Sequence, residues 1–224
     1  MKKSIILLSC CMLLLSACNQ PTGNKATSAP ITTKEQIKTT KQKQDTSSAI
    51  VSKEPIVIAE TPIYDSTYQL QLVMTKGEYI STSLSANPNV WHGDFMLRVL
   101  DYDNVVSEEK IDFGDDLETA FPYSFQLHTK DLNQDKCIDV AIGQYVSEGK
   151  MECQLYSINK KGILSSLNIK DTNTFYVAGN EISPQFTVTK DGKVKYSSFK
   201  SNKDGSSEIT EKFLTWDKNT FILH

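Results

Sequence analysis

The sequence predicts an all-β domain over residues 55–224, an antiparallel meander or sandwich, preceded by a disordered N-terminal tether. Two observations carry this. Apolar and polar residues alternate through many short runs, as in Tyr68-Gln69-Leu70-Gln71-Leu72-Val73-Met74. That period of two turns one strand face to a core and the other to water. Turn residues punctuate the runs at intervals of roughly 8–12 residues, the spacing of strands that follow one another directly in a sheet.

Taken in order, Tyr68–Met74 and Glu78–Leu84 flank Lys76-Gly77 and predict a hairpin turning at the glycine. Strand-like runs follow at Phe95–Leu100, Val105–Phe113, Tyr123–Thr129 and Ile138–Tyr145. Lys161-Gly162 separates Gln154–Ile158 from Ile163–Ile169, and Asp191-Gly192 separates Gln185–Thr189 from Lys193–Tyr196. Asp217-Lys218-Asn219 separates Phe213–Trp216 from Phe221–Leu223. Only Asp115–Ala120 suggests a short helical turn. The domain is long enough to bury a proper core.

The N-terminus has a different character. Met1-Lys2-Lys3 is basic, and Ile5–Leu15 is apolar but too short to cross a bilayer as a helix. Leu15-Ser16-Ala17-Cys18 closes the segment and matches the L-[AS]-[GA]-C pattern, so the chain resembles bacterial lipoproteins in its first eighteen residues. The resemblance implies that residues 1–17 are a signal peptide and are removed. It implies that Cys18 carries a diacylglyceryl group, often with a further acyl chain such as palmitate on its amine. It places the protein on the extracytoplasmic face of the cell membrane. Two or three acyl chains, at ~0.8 kcal/mol per buried CH₂, hold a protein there where one would not.

Residues 18–54 are rich in Thr, Ser, Lys and Gln and lack aromatics, so they read as a tether that cannot bury enough apolar surface to order itself. The tether carries a net charge of +3 and residues 55–224 carry −8, which argues against a nucleic-acid partner. Of the five cysteines, Cys10 and Cys11 leave with the signal and Cys18 is lipidated, which leaves Cys137 and Cys153 for the domain. A hairpin loop near Ser147-Glu148-Gly149 sets Cys153 opposite a residue near 143 and Cys137 opposite one near 157. A disulfide needs Cα atoms within about 7 Å, so two free thiols are expected, with a bridge as the alternative.

The second motif lies at Asp131-Leu132-Asn133-Gln134-Asp135-Lys136-Cys137-Ile138-Asp139, followed by Val140–Gly143. Oxygen side chains at Asp131, Asn133, Asp135 and Asp139, with the Cys137 backbone carbonyl at the seventh position, form a spacing that wraps hard ligands around Ca²⁺. The stretch resembles the FG-GAP or VCBS repeat of integrin-α-like β-propellers, which implies a structural calcium loop ahead of a strand and propeller-blade-like sheets. The family's glycine after the third ligand is Lys136 here, at a position that strains any residue with a Cβ. A self-capped Asp/Asn-rich turn is the alternative reading. No second copy of the repeat is evident.

Catalytic patterns are sparse. His92, His128 and His224 are scattered, and no nucleophile elbow, phosphate loop or dinucleotide fingerprint occurs. Carboxylate pairs stand at Asp101/Asp103, Glu108/Glu109 and Asp115/Asp116. In Asn87–Asp94, Trp91 beside His92 reads either as an aromatic platform for a sugar or peptide or as a Trp tucked over the sheet edge. The reading that results is a lipid-anchored, non-enzymatic β domain that binds a protein or envelope polymer and is calcium-stabilised. The alternative is an envelope glycan hydrolase that uses paired carboxylates.

Overall fold

The computed structural model describes residues 49–52, 54–81, 89–114, 118–147, 149–202 and 206–224. The expected signal peptide, Cys18 and most of the expected tether lie outside them. The described residues fall in one compact unit, and the domain is all-β.

Three sheets follow one another along the chain. In the first, β1 (Ala49–Ser52) and β2 (Ile56–Ile63) both lie against β3 (Tyr68–Ile80). The sheet continues through β4 (Val90–Asp101) to β5 (Asn104–Ile111), and β6 (Ala120–Pro122) pairs with the start of β4. The second contains β7 (Thr129–Lys130), β8 (Ile138–Ser147), β9 (Lys150–Ile158) and β10 (Leu164–Ser166), with β11 (Phe175–Ala178) alongside β9. The third contains β12 (Thr187–Val188), β13 (Val194–Ser201), β14 (Ser207–Asp217) and β15 (Thr220–Leu223). Each sheet thus holds one up-and-down run of four successive antiparallel strands: β2–β5, β7–β10 and β12–β15.

The turns predicted at Lys161-Gly162, Asp191-Gly192 and Asp217–Asn219 connect strands as expected, with positive φ at Gly162, Gly192, Lys218 and Asn219. Four expectations need correction. Gly77 is not a turn. β3 runs straight through it, and Gly77 faces Gly93 of β4. A Cβ on Gly77 would stand 2.1 Å from the His92 carbonyl oxygen, and one on Gly93 2.1 Å from the Lys76 carbonyl oxygen. The glycines therefore serve a close approach of two backbones beside the bulge at Met74/Lys76.

The run Tyr123–Thr129 is not a strand. Only Ala120–Pro122 and Thr129–Lys130 pair, and residues 123–128 run irregularly between the first and second sheets. The expected helical turn falls partly on residues outside the described set, and Ala120 opens β6. Finally, residues before 55 take part in the fold, because Ala49–Ser52 pairs with Gly77–Ile80.

One apolar core joins all three sheets. Phe95, Phe121, Tyr156 and Phe221 are its largest fully buried rings, and each such burial stabilises by about 1.5–3 kcal/mol. Phe95 and Phe121 meet edge to face at 4.6 Å. Polar stitches join neighbouring sheets. The Tyr64 hydroxyl donates to the Ile158 carbonyl at 2.5 Å and accepts from the Ile138 N–H at 3.1 Å. Ser107 Oγ donates to the Gly162 carbonyl and accepts from the Leu164 N–H. Ser198 Oγ donates to the Tyr176 carbonyl.

Candidate functional site

The Asp131–Asp139 segment forms the β7–β8 turn, the first hairpin of the middle run. Its side-chain oxygens are bound mostly to its own backbone. Asp131 Oδ1 accepts the Asp135 N–H at 3.1 Å and its Oδ2 accepts the Lys136 N–H at 3.0 Å. Asn133 Oδ1 accepts the Asp135 N–H, and Asp135 Oδ1 accepts the Cys137 N–H at 2.7 Å. Asn133 Nδ2 donates to Asp135 Oδ2 at 2.9 Å. Lys136 adopts φ +69° and Gln134 φ +61°, so a lysine occupies the left-handed position where the resembling family has glycine. The strain is of order 1–2 kcal/mol per residue.

Asp139 stands apart from this web, under the loop at the start of β8. It is 1% exposed. Its Oδ2 accepts the Leu132 N–H at 2.7 Å, and its Oδ1 has no hydrogen-bond partner. Burial raises its pKa to about 6. The Ser157 hydroxyl and the Leu132 N–H pull the other way, while the Asp135 and Asp131 charges add to the rise. Cys137 lies at the same place, its thiol pushed up to about 11 by burial and then by Asp135.

The loop supplies the oxygen chemistry that calcium takes, and the orphaned Asp139 oxygen is a natural acceptor of positive charge. Among the described residues, however, no group of three or more His, Cys, Asp or Glu side chains is gathered closely enough to hold a metal as it stands. Both Cys137 and Cys153 are free thiols. Cys153 faces Gly143, where a Cβ would lie 2.8 Å from Cys153 Sγ, so glycine there makes room for the sulfur.

Trp91 and His92 lie on β4. Trp91 is 7% exposed and is therefore tucked against the sheet. It is nevertheless part of an aromatic cluster. Tyr79 lies across the β3–β4 ladder from it, with centroids 4.8 Å apart, and Tyr123 stacks on it at 6.3 Å with planes 22° apart. Tyr79 and Tyr123 meet edge to face at 5.7 Å. Tyr123 is 63% exposed, so it is the ring this cluster offers to solvent. Trp91 Nε1 is buried without an acceptor. His92 Nδ1 has no hydrogen bond either, its nearest charge being Glu118 at 3.5 Å. The sequence reads Tyr123 as a core or strand-face residue; it is instead exposed on an irregular segment, because its stacking depends on that segment returning to the β3–β4 ladder.

The carboxylate pairs do not converge. Glu108 binds Arg98 at 2.6 Å, whereas Glu109 accepts the Ser166 hydroxyl at 3.1 Å. Adjacent strand residues point to opposite faces, so these two acids cannot flank one substrate. Asp101 and Asp103 sit at the β4–β5 turn, and the pair Asp115/Asp116 lies outside the described residues. Among the described residues no helix is long and apolar enough to cross a membrane. Comparison with protein-family models, with curated proteins and with solved structures gives no match.

Proposed function

We propose that this protein is a lipid-anchored, extracytoplasmic binding protein, held to the membrane through Cys18, whose β domain engages an envelope polymer. The observation that carries the binding role is the Tyr79–Trp91–Tyr123 stack, an aromatic cluster with one ring 63% exposed and a buried indole N–H left without an acceptor. A tyrosine seated on a buried tryptophan presents a flat apolar face at little further entropic cost, which suits the C–H face of a sugar ring or an apolar side chain. The lipobox at Leu15–Cys18 supports the anchor. Calcium is the cofactor that Asp131, Asn133, Asp135, the Cys137 carbonyl and Asp139 would hold, and its role would be to brace the β7–β8 turn.

The test is co-sedimentation of the full chain with purified peptidoglycan sacculi. The wild type should pellet with them. Tyr123→Ala, which removes an exposed ring and should leave the melting temperature unchanged, should lower retention about tenfold, a loss of ~1.4 kcal/mol. Equal retention of the two proteins, or none by the wild type, would refute polymer binding at this cluster.

A further inference from the structure

The β13–β14 hairpin reaches beyond the strands that flank it. β12 covers only Val194 and Lys195 of β13, and β15 pairs with β14 only from Leu214 to Asp217. From Ser207 to Lys212, β14 has β13 on one side and, among the described residues, no strand on the other. Two hydrogen bonds tell which backbone groups face that open side. The Asn202 N–H donates to the Ser206 carbonyl, so even-numbered residues of β14 turn their groups toward β13. The His224 N–H donates to the Phe213 carbonyl at 2.9 Å, so odd-numbered residues turn theirs away. By strand alternation Ser207, Ile209 and Glu211 present their N–H and C=O groups outward.

An open edge is a template for another strand, and proteins blunt such edges with proline, bulges or short strands. Other edges of this domain are blunted in those ways. β2 carries Pro62 and a bulge at Val57/Ala59, and β1, β10 and β12 are two to four residues long. β5 is tied to the second sheet through the Ser107 hydroxyl. The β13–β14 ladder, by contrast, runs through eight consecutive pairs without a bulge. On its open edge Ile209 is 65% exposed, and it stands opposite the half-buried Phe199 of β13.

We propose that this edge pairs with the same edge of a second copy of the chain, β14 against β14, antiparallel about a two-fold axis through Ile209. The outward backbone groups then meet outward groups: Ile209 faces the partner's Ile209, and Ser207 faces the partner's Glu211. Phe199 and Ile209 of both copies form one apolar row across four strands, which covers the exposed isoleucines. No like charges stand directly opposite, because Glu208 meets Thr210 and Glu211 meets Ser207. Lys212 lies diagonal to the partner's Glu208. Strand twist closes that diagonal and opens the one between the two Glu208 side chains. Neighbouring registers are worse. An axis through Glu208 sets the two Glu208 carboxylates face to face, and one through Thr210 sets Ile209 against Glu211. This interface requires neither the anchor nor the Tyr123 stack, so it stands or falls separately from them.

Copper-phenanthroline oxidation of the purified, concentrated full chain, read on a non-reducing gel, tests the register. Across the proposed axis, Ile209→Cys brings two Cα atoms to about 5.5 Å, inside the ~7 Å reach of a disulfide. That variant should run as a dimer. So should the double variant Ser207→Cys/Glu211→Cys, whose cysteines face each other across the interface. The single variants Ser207→Cys and Glu211→Cys hold their like cysteines on the order of 14 Å apart and should stay monomeric. The wild type, with Cys153 buried and Cys137 half-buried, should stay monomeric too. All three positions are exposed, so the melting temperature should hold in every variant. Equal dimer from all four variants would mean random collision and would overturn the proposal. Failure of either Ile209→Cys or the double variant to form a dimer would overturn it equally.

Discussion

Tyr64 does its work through one oxygen. Its hydroxyl bridges the Ile158 carbonyl and the Ile138 N–H, so one side chain from the first sheet closes the end of the β8–β9 ladder in the second. Tyr64→Phe keeps the ring and strands both backbone groups, which predicts a loss of about 1–3 kcal/mol in urea unfolding. Asp139 makes the opposite kind of contribution. Its folded pKa, about 6, lies above the ordinary value of 3.8, so the folded state holds the proton more tightly than the unfolded chain does. The stability this provides is complete below the ordinary value and is lost as pH rises through about 6. In chelator, unfolding free energy should therefore fall between roughly pH 4 and 7, by at most about 3 kcal/mol. Asp139→Asn should flatten that slope; a pH profile identical to wild type would contradict the assignment. The buried, unmatched oxygen responsible for this effect was invisible in the linear motif, where Asp139 is simply the last acid of a spacing.

Among the elements, the β7–β8 turn and the β3–β4 ladder repay attention for different reasons. The turn is already closed by hydrogen bonds from its backbone N–H groups to its own Asp and Asn side chains, so calcium should add to a formed structure rather than create one. The melting temperature of the full chain should rise with millimolar calcium relative to chelator, following RT ln(1 + [L]/Kd), and Asp131→Asn should blunt the rise. No shift at millimolar calcium would remove the metal from this turn. In the β3–β4 ladder, Gly77→Ala places a methyl 2.1 Å from a backbone carbonyl that has no side-chain freedom to yield. It should cost several kcal/mol, at the large end for a single substitution, and chemical denaturation would measure it. The sequence exposed most turns, because Asp-Gly and Lys-Gly are local chemistry. It misplaced the turn at Gly77, since a glycine needed for cross-strand approach and one needed for a turn look the same in one dimension. It also concealed β1, because Ala49–Ser52 is a strand only by virtue of its partner Gly77–Ile80.

At the scale of the whole molecule, three four-strand antiparallel runs share one core. The alternation of apolar and polar residues determined the fold class, the antiparallel arrangement and most strand positions, because strand-face periodicity is a local property of the chain. The sequence also determined the oxygen-rich character of the β7–β8 turn and the expectation of an anchor at Cys18. What only the tertiary structure decided is which side chains share a site. The grouping of Tyr79, Trp91 and Tyr123 joins two strands and an irregular segment, and no spacing rule brings them together. Trp91 became the buried base of a platform whose exposed ring is Tyr123, and the last acid of the turn became a buried carboxyl. Burial and long-range packing, which arise only when the sheets meet, made those assignments.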